Sequence, residues 1–452
     1  MQHAGPWRSI LRCFAIVVLG YGLTAFGATR KPMAPNEVPQ EILQRASEFL
    51  ELNRGTTEFE GKKILGAQPI YAYGVKGIAY YEVWLTVDGQ TPRGWMLLSA
   101  TDMDYALVNF SHDGTPYSQK VMDRAEQAGV RPNHAARVYR FGVSFFSLED
   151  GKGNFLASFG QLPETLLKNT DASGSGNGDS TRGVLSETGA DQKLVEGVHF
   201  DRVRNYDELR RLFPASYFSE QRKQTALKSQ GWIAQALQHK SYQPLNQYNY
   251  RWIYNDWNQA YYTQIPAYTG WNNTACWSGC SNNAWMNIYG WWDLNMGKAG
   301  LVPTTSTGEA SPAYRNTVPR QNSVDPNMMW IRNVSFTYCS NGAGATNVSD
   351  VYRGFQYASA KGYGYNYWYQ WCNSGGCNVN LADIVTDGIA NNGTPVHVGA
   401  FSHAYVGWGW AQFDTNTDWT WVYGYPGWSE NHNDDVWIWW HDFVASTRMF
   451  VY

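Results

Sequence analysis

Residues 278–292 read SGCSNNAWMNIYGWW, and their apolar pattern predicts a helix. Ala284, Ile288 and Trp292 recur every four residues, which places them on one face of that helix. Cys280 falls in the predicted first turn, where unpaired backbone N–H groups and the positive end of the helix dipole favour a thiolate. Since the thiolate is the nucleophilic form, Cys280 is a candidate nucleophile. The same N–H groups could hold an oxyanion formed on a substrate carbonyl.

A histidine-bearing segment follows about 120 residues later. Residues 393–409 read GTPVHVGAFSHAYVGWG, and His403 opens an apolar stretch that predicts a strand. A histidine held on a rigid strand can act as general base to a thiol and later protonate a leaving group. His397, on the preceding strand, is the alternative base. Both residue types also have ordinary structural roles, since a buried cysteine packs as a small hydrophobe and a histidine can be a core residue.

Composition divides the chain into two unlike halves. Of the 22 Trp residues, 19 follow residue 230, whereas 26 of the 35 Lys and Arg residues precede it. This contrast predicts two domains. The formal net charge of −3 gives no general attraction to phosphate and argues against a nucleic-acid binder. No apolar run reaches the length of about 20 residues that a spanning helix needs, which argues against an integral membrane protein.

The first residues are typical of a secretory signal peptide. Arg8 and Arg12 supply the basic region, an apolar segment begins at Cys13, and small residues precede a predicted cut after Gly27. An uncleaved anchor is the alternative. The sequence therefore predicts a signal peptide over residues 1–27 and a secreted or periplasmic protein, in which disulfides are chemically possible.

Five cysteines remain after the predicted signal peptide: Cys276, Cys280, Cys339, Cys372 and Cys377. An odd number in an exported protein suggests bridges plus a thiol kept reduced. The short, Gly-containing turn between Cys372 and Cys377 would let them meet, and Cys276 with Cys339 is then a second guess that leaves Cys280 over. A zinc site is the competing interpretation, but the spacings are irregular. We expect no metal and no other cofactor.

Local patterns predict the order of the elements. Residues 37–53 have helical spacing, and strand-like stretches follow at 70–73, 79–85, 94–99 and 106–110. A Gly- and Ser-rich stretch at 171–192 predicts an exposed linker, and 205–238 predicts charged helical structure. The predicted organisation is a propeptide-like α+β domain at 28–170, a linker and helical segment at 171–245, and an aromatic domain at 246–452.

Several of these motifs together resemble the streptopain family of papain-like cysteine peptidases. The resembling stretches of the second half are 254–262 (YNDWNQAYY), 278–280, 289–292, 381–389 (LADIVTDGI), 394–396 and 403–406 (HAYV). In the first half, 79–83, 94–100 and 108–114 are similar to the cystatin-like propeptide of streptopain-type zymogens. The resemblance covers most of the chain after the signal peptide.

The resemblance implies a fold, an activity and a set of site residues. It implies an α+β fold in which a papain-like domain, with a helical part and an antiparallel sheet, follows a small α+β prodomain. It implies a secreted endopeptidase made as a zymogen, with Cys280 as nucleophile, His403 as base and Gln259 as a donor to the oxyanion. The implied partners are a protein or peptide substrate and the chain's own propeptide.

The sequence departs from the family where an Asn or Asp should orient the imidazole. The matched position holds Tyr423, and an unsupported imidazole would slow a peptidase. Two alternatives therefore stay open. One is a catalytically degenerate Trp-rich protein of the same fold that binds carbohydrate or peptide. The other is acyl transfer such as transglutamination, which would use the same Cys and His.

Overall fold

The computed structural model describes residues 31–54, 58–132, 136–143, 145–160, 206–218, 220–231, 243–247, 279–302, 326–340, 343–371, 381–400, 403–412, 420–426 and 435–452. The predicted signal peptide 1–27, the predicted exposed linker at 171–192 and Gln259 lie outside these ranges, as do Cys276, Cys372 and Cys377. The predicted boundaries of the three regions after the signal peptide stay predictions.

The described residues form helices and strands in both halves. The helices are α1 (Gln40–Leu52), α2 (Tyr117–Gln127), α3 (Tyr206–Tyr217), α4 (Glu220–Ser229), α5 (Cys280–Met296), α6 (Pro326–Val334), α7 (Gln356–Ala360) and α8 (Leu381–Thr386). The strands are β1 (Lys63–Tyr71), β2 (Tyr80–Thr86), β3 (Trp95–Ser99), β4 (Leu107–Ser111), β5 (Arg137–Phe141), β6 (Phe145–Glu149), β7 (Phe155–Phe159), β8 (Gln243–Gln247), β9 (Tyr338–Ser340), β10 (Ala343–Ala345), β11 (Tyr365–Trp371), β12 (Val396–Ala400), β13 (His403–Gln412), β14 (Thr420–Tyr425), β15 (Val436–Trp439) and β16 (Phe443–Val451).

Most strands belong to one large, mostly antiparallel sheet. Its order in the described residues is β11-β16-β12-β13-β14-β15-β4-β3-β2-β1-β5-β6-β7, and β8 pairs with β13 beside this path. Only the β1–β5 pair of that path is parallel. Helices lie against the sheet at several places, so the chain has an α+β fold. This confirms the coarse fold class predicted from the sequence.

Helix α1 shows how the N-terminal pattern becomes structure. The helix predicted over 37–53 is confirmed at Gln40–Leu52, and it buries Ile42, Ala46 and Phe49. The Phe49 ring packs edge-on against Phe110 of β4, with 4.8 Å between ring centroids. Spacing of three and four residues thus places one apolar stripe of α1 against the sheet.

Helices α3 and α4 lie within the segment 205–238 that is predicted to be helical, and they pack on the N-terminal strands. Phe141 of β5 contacts the Tyr206 ring at 5.8 Å and the Phe213 ring at 5.2 Å, both on α3. Arg210 of α3 also forms an ion pair with the buried Glu149 of β6, at 3.1 Å. Although these helices follow the predicted linker, their apolar face therefore lies in the core of the first half.

Strands β4 and β15 join the first half of the chain to the second. Trp437 pairs with Phe110, and Ile438 pairs with Asn109. Beside this pairing, the Trp437 indole N–H donates to Nδ1 of His112 at 3.2 Å. The same sheet therefore continues from the N-terminal strands into the aromatic half.

A buried arginine makes a second connection between the halves. Arg222 of α4 contacts Asp104, before β4, at 2.8 Å and Asp442, before β16, at 2.5 Å. The guanidinium is only 9% exposed, and both carboxylates are buried more deeply. Arg140 of β5 adds a second buried guanidinium 3.3 Å from Asp104, so two carboxylates are matched by two cations in a place that penalises unpaired charge.

The buried carboxylate of Glu82 holds the start of α2. It accepts hydrogen bonds from the backbone N–H of Tyr117 at 2.7 Å, from the Trp84 indole at 3.1 Å, and from both the backbone and the hydroxyl of Ser118. Burial raises the pKa of Glu82, and these donors act in the opposite direction. A residue distant in sequence thus satisfies the N–H groups that a helix start leaves unpaired.

Replacing Glu82 by glutamine is expected to lower the free energy of unfolding by about 2 kcal/mol, because the amide turns a donor toward groups that need an acceptor. Urea unfolding followed by tryptophan fluorescence measures this loss. Glu60→Gln is the matched control, since Glu60 is exposed, and its change should stay within about 0.5 kcal/mol. Equal effects of the two substitutions would contradict the capping role.

Acid is expected to weaken the contact between β4 and β15. Burial lowers the pKa of His112 to about 4, partly opposed by Asp113 and assisted by Lys62 and Arg93. The neutral imidazole is therefore favoured in the fold, and its contribution is complete above the unfolded pKa of about 6.5 and lost as the pH falls toward 4. Protonation also removes the acceptor used by Trp437.

His112→Asn tests this expectation, since the amide oxygen can accept the same indole N–H without titrating. Between pH 7 and pH 4 the variant should lose about 2 kcal/mol less unfolding free energy than the parent. Other buried histidines titrate in both proteins, so only the difference is informative. Parallel pH profiles would show that His112 does not contribute.

Candidate active site

Helix α5 begins at Cys280, as predicted. The residue before it, Gly279, has a φ of 91°, a left-handed backbone conformation that favours glycine. Cys280 is partly buried and its sulfur is not in a disulfide. The first backbone N–H groups of a helix have no intrahelical partner, so the thiol lies at a site that favours the thiolate and could hold an oxyanion.

Helix α5 is fixed by buried aromatic contacts. The predicted face of Ala284, Ile288 and Trp292 is buried. The Trp285 indole donates to the Val351 carbonyl at 2.8 Å, and a Cβ on Gly354 would collide with that indole. Because the packing leaves no room for a shift at these positions, α5 holds the nucleophile on a rigid support.

His403 is the first residue of β13, as predicted, and its ring is buried. Its Nε2 donates to the Pro426 carbonyl at 2.8 Å, just beyond the end of β14. A neutral imidazole that donates from Nε2 has its lone pair on Nδ1, which is then the basic atom. Burial lowers the pKa of His403 to about 4, and the bond to Pro426 acts in the opposite direction.

His397 of β12 is the imidazole that contacts the first turn of α5. Its Nε2 lies 3.2 Å from the hydroxyl oxygen of Ser281, the residue after Cys280. Its ring stacks on Trp285, with 5.2 Å between centroids. Burial lowers the pKa of His397 to about 3, and a positive charge on His403 would lower it further.

The strand register places the two histidines differently. His397 pairs with Val406, whereas His403 pairs with Ala400 at the other end of the hairpin. Ala404 and Val406 pack with the apolar residues of α5. Because side chains alternate along a strand, the Cβ of His403 leaves β13 on the face opposite to Ala404. The structure thus brings His397 to α5 through Ser281, and the pairing of His403 with Cys280 stays a prediction.

Tyr423 occupies the sequence position that is matched to the missing Asn or Asp, and its side chain packs among aromatic rings. It is buried on β14, with its ring 4.7 Å from Trp437 and 4.9 Å from both Trp408 and His112. The acceptor that holds His403 is the backbone carbonyl of Pro426. Matching the side chains of this sequence to the family pattern could not identify this acceptor, because every residue has a backbone carbonyl.

Gln259 lies outside the described residues, so its role as oxyanion donor stays a prediction. The guessed disulfides also involve Cys276, Cys372 and Cys377, which lie outside the same ranges. Within the part of the chain that the structure describes, no group of three or more His, Cys, Asp or Glu residues could hold a metal ion. Nor does a helix there have the length and apolarity to cross a membrane.

The Trp residues that the structure describes in the second half are divided between the core and the surface. Five Trp side chains there have less than 2% of their surface exposed: Trp285, Trp292, Trp421, Trp437 and Trp439. On β11, by contrast, Trp368 is 44% exposed and Trp371 is 37% exposed. Among the described Trp residues, one part therefore belongs to the packed core, and β11 carries an exposed aromatic strip.

Solved structures include a weak structural neighbour of this chain. It is a mutant fragment of Prevotella intermedia prointerpain A, in which one cysteine is replaced by alanine. The TM-score is 0.35 and the sequence identity 10%, over 85% of this chain and 98% of the fragment. No protein-family model and no curated protein matches the sequence.

Proposed function

We propose that the chain is a papain-like cysteine endopeptidase, made as an exported zymogen. The observation that carries the proposal is Cys280, a reduced cysteine at the first turn of a rigid, buried helix that packs against the strands bearing His397 and His403. The helix start supplies the conditions for a thiolate and for an oxyanion. The motifs around Cys280 and His403 supply the resemblance to streptopain-type enzymes.

In this proposal the reaction begins with proton transfer from the Cys280 thiol to Nδ1 of His403, and this step requires the His403 ring to turn toward α5 from the opposite face of β13. The thiolate attacks the peptide carbonyl, forming a C–S bond, while the Cys280 backbone N–H and the Gln259 side chain hold the oxyanion. Collapse breaks the C–N bond, and the imidazolium gives its proton to the leaving amine. Water then gives a proton to His403 and attacks the thioester, which releases the acid and the thiol.

The hydrogen bond to Pro426 replaces the orienting side chain in this proposal. It fixes the tautomer of His403 with Nδ1 basic, as an Asn or Asp partner would. Burial lowers the pKa of the His403 imidazole to about 4, so the ring is neutral at pH 7 and is by itself a weak base toward the thiol. The thiolate formed by proton transfer would raise the imidazole pKa again, since opposite charges stabilise each other.

The N-terminal half is the inhibitory propeptide in this proposal. Three contacts support a stable association with the second half: the β4–β15 pairing, the bond from Trp437 to His112, and the bridging Arg222. Activation would then require cleavage within 171–245 followed by loss of these contacts. The substrate is an extended peptide segment of another protein or of the chain itself.

Mass spectrometry of the exported protein tests this proposal. We expect a mature form that starts within or after 171–245, in which iodoacetamide alkylates Cys280 and thereby stops hydrolysis of an unfolded protein substrate. A protein that still starts at residue 28, with Cys280 resistant to alkylation, would refute it. Incorporation of a primary amine into glutamine residues, with no hydrolysis, would favour acyl transfer.

Exposed Trp368 and Trp371 favour a second candidate function, the degenerate binding protein. The Arg448 guanidinium lies 4.2 Å from the Trp368 ring centroid and 3.0 Å from Asp387. An exposed indole beside paired charges could stack on a sugar ring while the charges bind its hydroxyl groups. If Cys280→Ala kept all biological activity and Trp368→Ala removed it, this second function would replace the first.

A further inference from the structure

We propose that His397 is a positioning residue, which fixes the first turn of α5 through Ser281 and so sets the direction of the Cys280 thiol. This inference rests on the proposed function only in taking Cys280 as the nucleophile. It gives a task to a histidine that the proposed reaction does not use.

The contact of His397 with α5 has two parts on the same helix. The Nε2 contact reaches Ser281, which immediately follows Cys280. The ring stack reaches Trp285, one turn further along. The Trp285 indole is in turn hydrogen-bonded to the Val351 carbonyl. The first turn of α5 is therefore held at two points, at Ser281 by the imidazole and at Trp285 by the ring stack and the indole bond. Little freedom then remains for the backbone that bears the thiol.

The surroundings of His397 indicate that the imidazole is needed for its hydrogen bond and not for packing alone. The residue is fully buried, and its Nδ1 has no hydrogen-bond partner among the described residues. Leaving a buried ring nitrogen unsatisfied destabilises a fold, and an apolar side chain of similar size would avoid this penalty. The bond that an apolar side chain could not make is the one from Nε2 to Ser281. That bond is therefore what the imidazole contributes here.

The pH dependence of the reaction rate distinguishes a positioning role of His397 from an acid–base role. With its pKa lowered to about 3 by burial, His397 is neutral near pH 7. Its effect should therefore change the height of a pH–rate profile through thiol orientation, and it should not add an inflection of its own. A catalytic base would add one.

Alkylation of Cys280 by iodoacetamide measures the thiol without requiring peptidase activity. We expect Ser281→Ala and His397→Leu each to lower the second-order rate at pH 7 about 10-fold, since small displacements of a reacting group have effects of this size. The double variant should be no slower than the single variants. His397→Gln, whose amide nitrogen can take the place of Nε2, should restore most of the rate. In the peptidase assay, kcat should fall and KM should stay unchanged.

His441→Gln is the matched control. His441 is a partly buried histidine among aromatic rings, and burial lowers its pKa as it does that of His397, but its ring contacts Trp439 and Trp440. It should leave the alkylation rate unchanged. Rates within 2-fold of the parent in both Ser281→Ala and His397→Leu would overturn the inference, as would additive losses in the double variant. If the variants show the expected alkylation rates but the parent does not hydrolyse peptides, the positioning role stands and the proposed function fails.

Discussion

Replacing Cys280 by alanine is expected to lower kcat/KM for peptide hydrolysis by at least about 10³-fold and to stop self-processing. The reason is that the sulfur is the atom that forms the acyl intermediate, and removal of a nucleophile leaves only the contributions of binding and oxyanion stabilisation. The substrate in the assay is an unfolded protein whose attached fluorophores are quenched until it is cleaved. The parent and the variant are both treated beforehand with an added protease that removes residues 1–245. This design keeps the loss of self-processing from hiding the loss of chemistry.

Met296→Ala is the control for that loss. Met296 ends the same helix and is 42% exposed, so its removal should leave kcat/KM within about 2-fold of the parent. Retention of more than a tenth of the parent activity by Cys280→Ala would place the chemistry elsewhere. Circular dichroism of both variants checks that α5 still forms.

Replacing Arg222 by alanine is expected to cause the largest loss of stability, about 3–5 kcal/mol. The substitution removes the cation that the buried carboxylates of Asp104 and Asp442 share. Asp104 keeps its ion pair with Arg140 at 3.3 Å, so the cost falls mainly on Asp442, and an uncompensated buried charge is strongly unfavourable. It also removes cation–π contacts with the rings of Tyr105 and Tyr217. Urea unfolding of the Cys280→Ala chain, which cannot process itself, measures the loss.

Arg211→Ala is the comparison for Arg222→Ala. Arg211 pairs with Glu208 at 3.5 Å but is 70% exposed, so solvent screens the pair and its loss should change stability by no more than about 0.5 kcal/mol. A loss of less than 1 kcal/mol in Arg222→Ala would mean that the two halves do not depend on the buried cluster. Asp442→Asn should restore part of the loss in an Arg222→Ala background, because it removes the negative charge that Arg222 had compensated.

The sequence predicts local features of this molecule well. Periodicity over 278–292 predicts a helix, and α5 begins at the predicted residue, Cys280. The start of a strand at His403 follows equally from the apolar run beginning there. These features depend on neighbours within a few residues, and helix and strand periods are visible at that range.

Contacts between distant segments were not predictable in the same way. The pairing of β4 with β15 joins residues more than 300 positions apart, and no local pattern specifies which edges meet. The bond from His403 to Pro426 uses a backbone carbonyl, which residue identity does not reveal. The contact of Ser281 with His397 needed the register of β12 against β13.

The position of the helical segment is a further example. Its charge pattern over 205–238 predicts helices, but it does not predict that Tyr206 and Phe213 lie in the core of the first half. The aromatic residues are similar, since a Trp count does not distinguish core rings from exposed binding rings. Burial of Trp285 and exposure of Trp368 became known only from the three-dimensional packing.

The central claim is that the Cys280 thiolate forms the acyl-enzyme. The most direct measurement is covalent labelling of the processed protein with a peptidyl chloromethyl ketone, followed by peptide mapping by mass spectrometry. We expect one label per molecule, located on Cys280, with activity lost in proportion to labelling. A label on any other residue, or full activity in protein whose Cys280 is completely labelled, would contradict the claim.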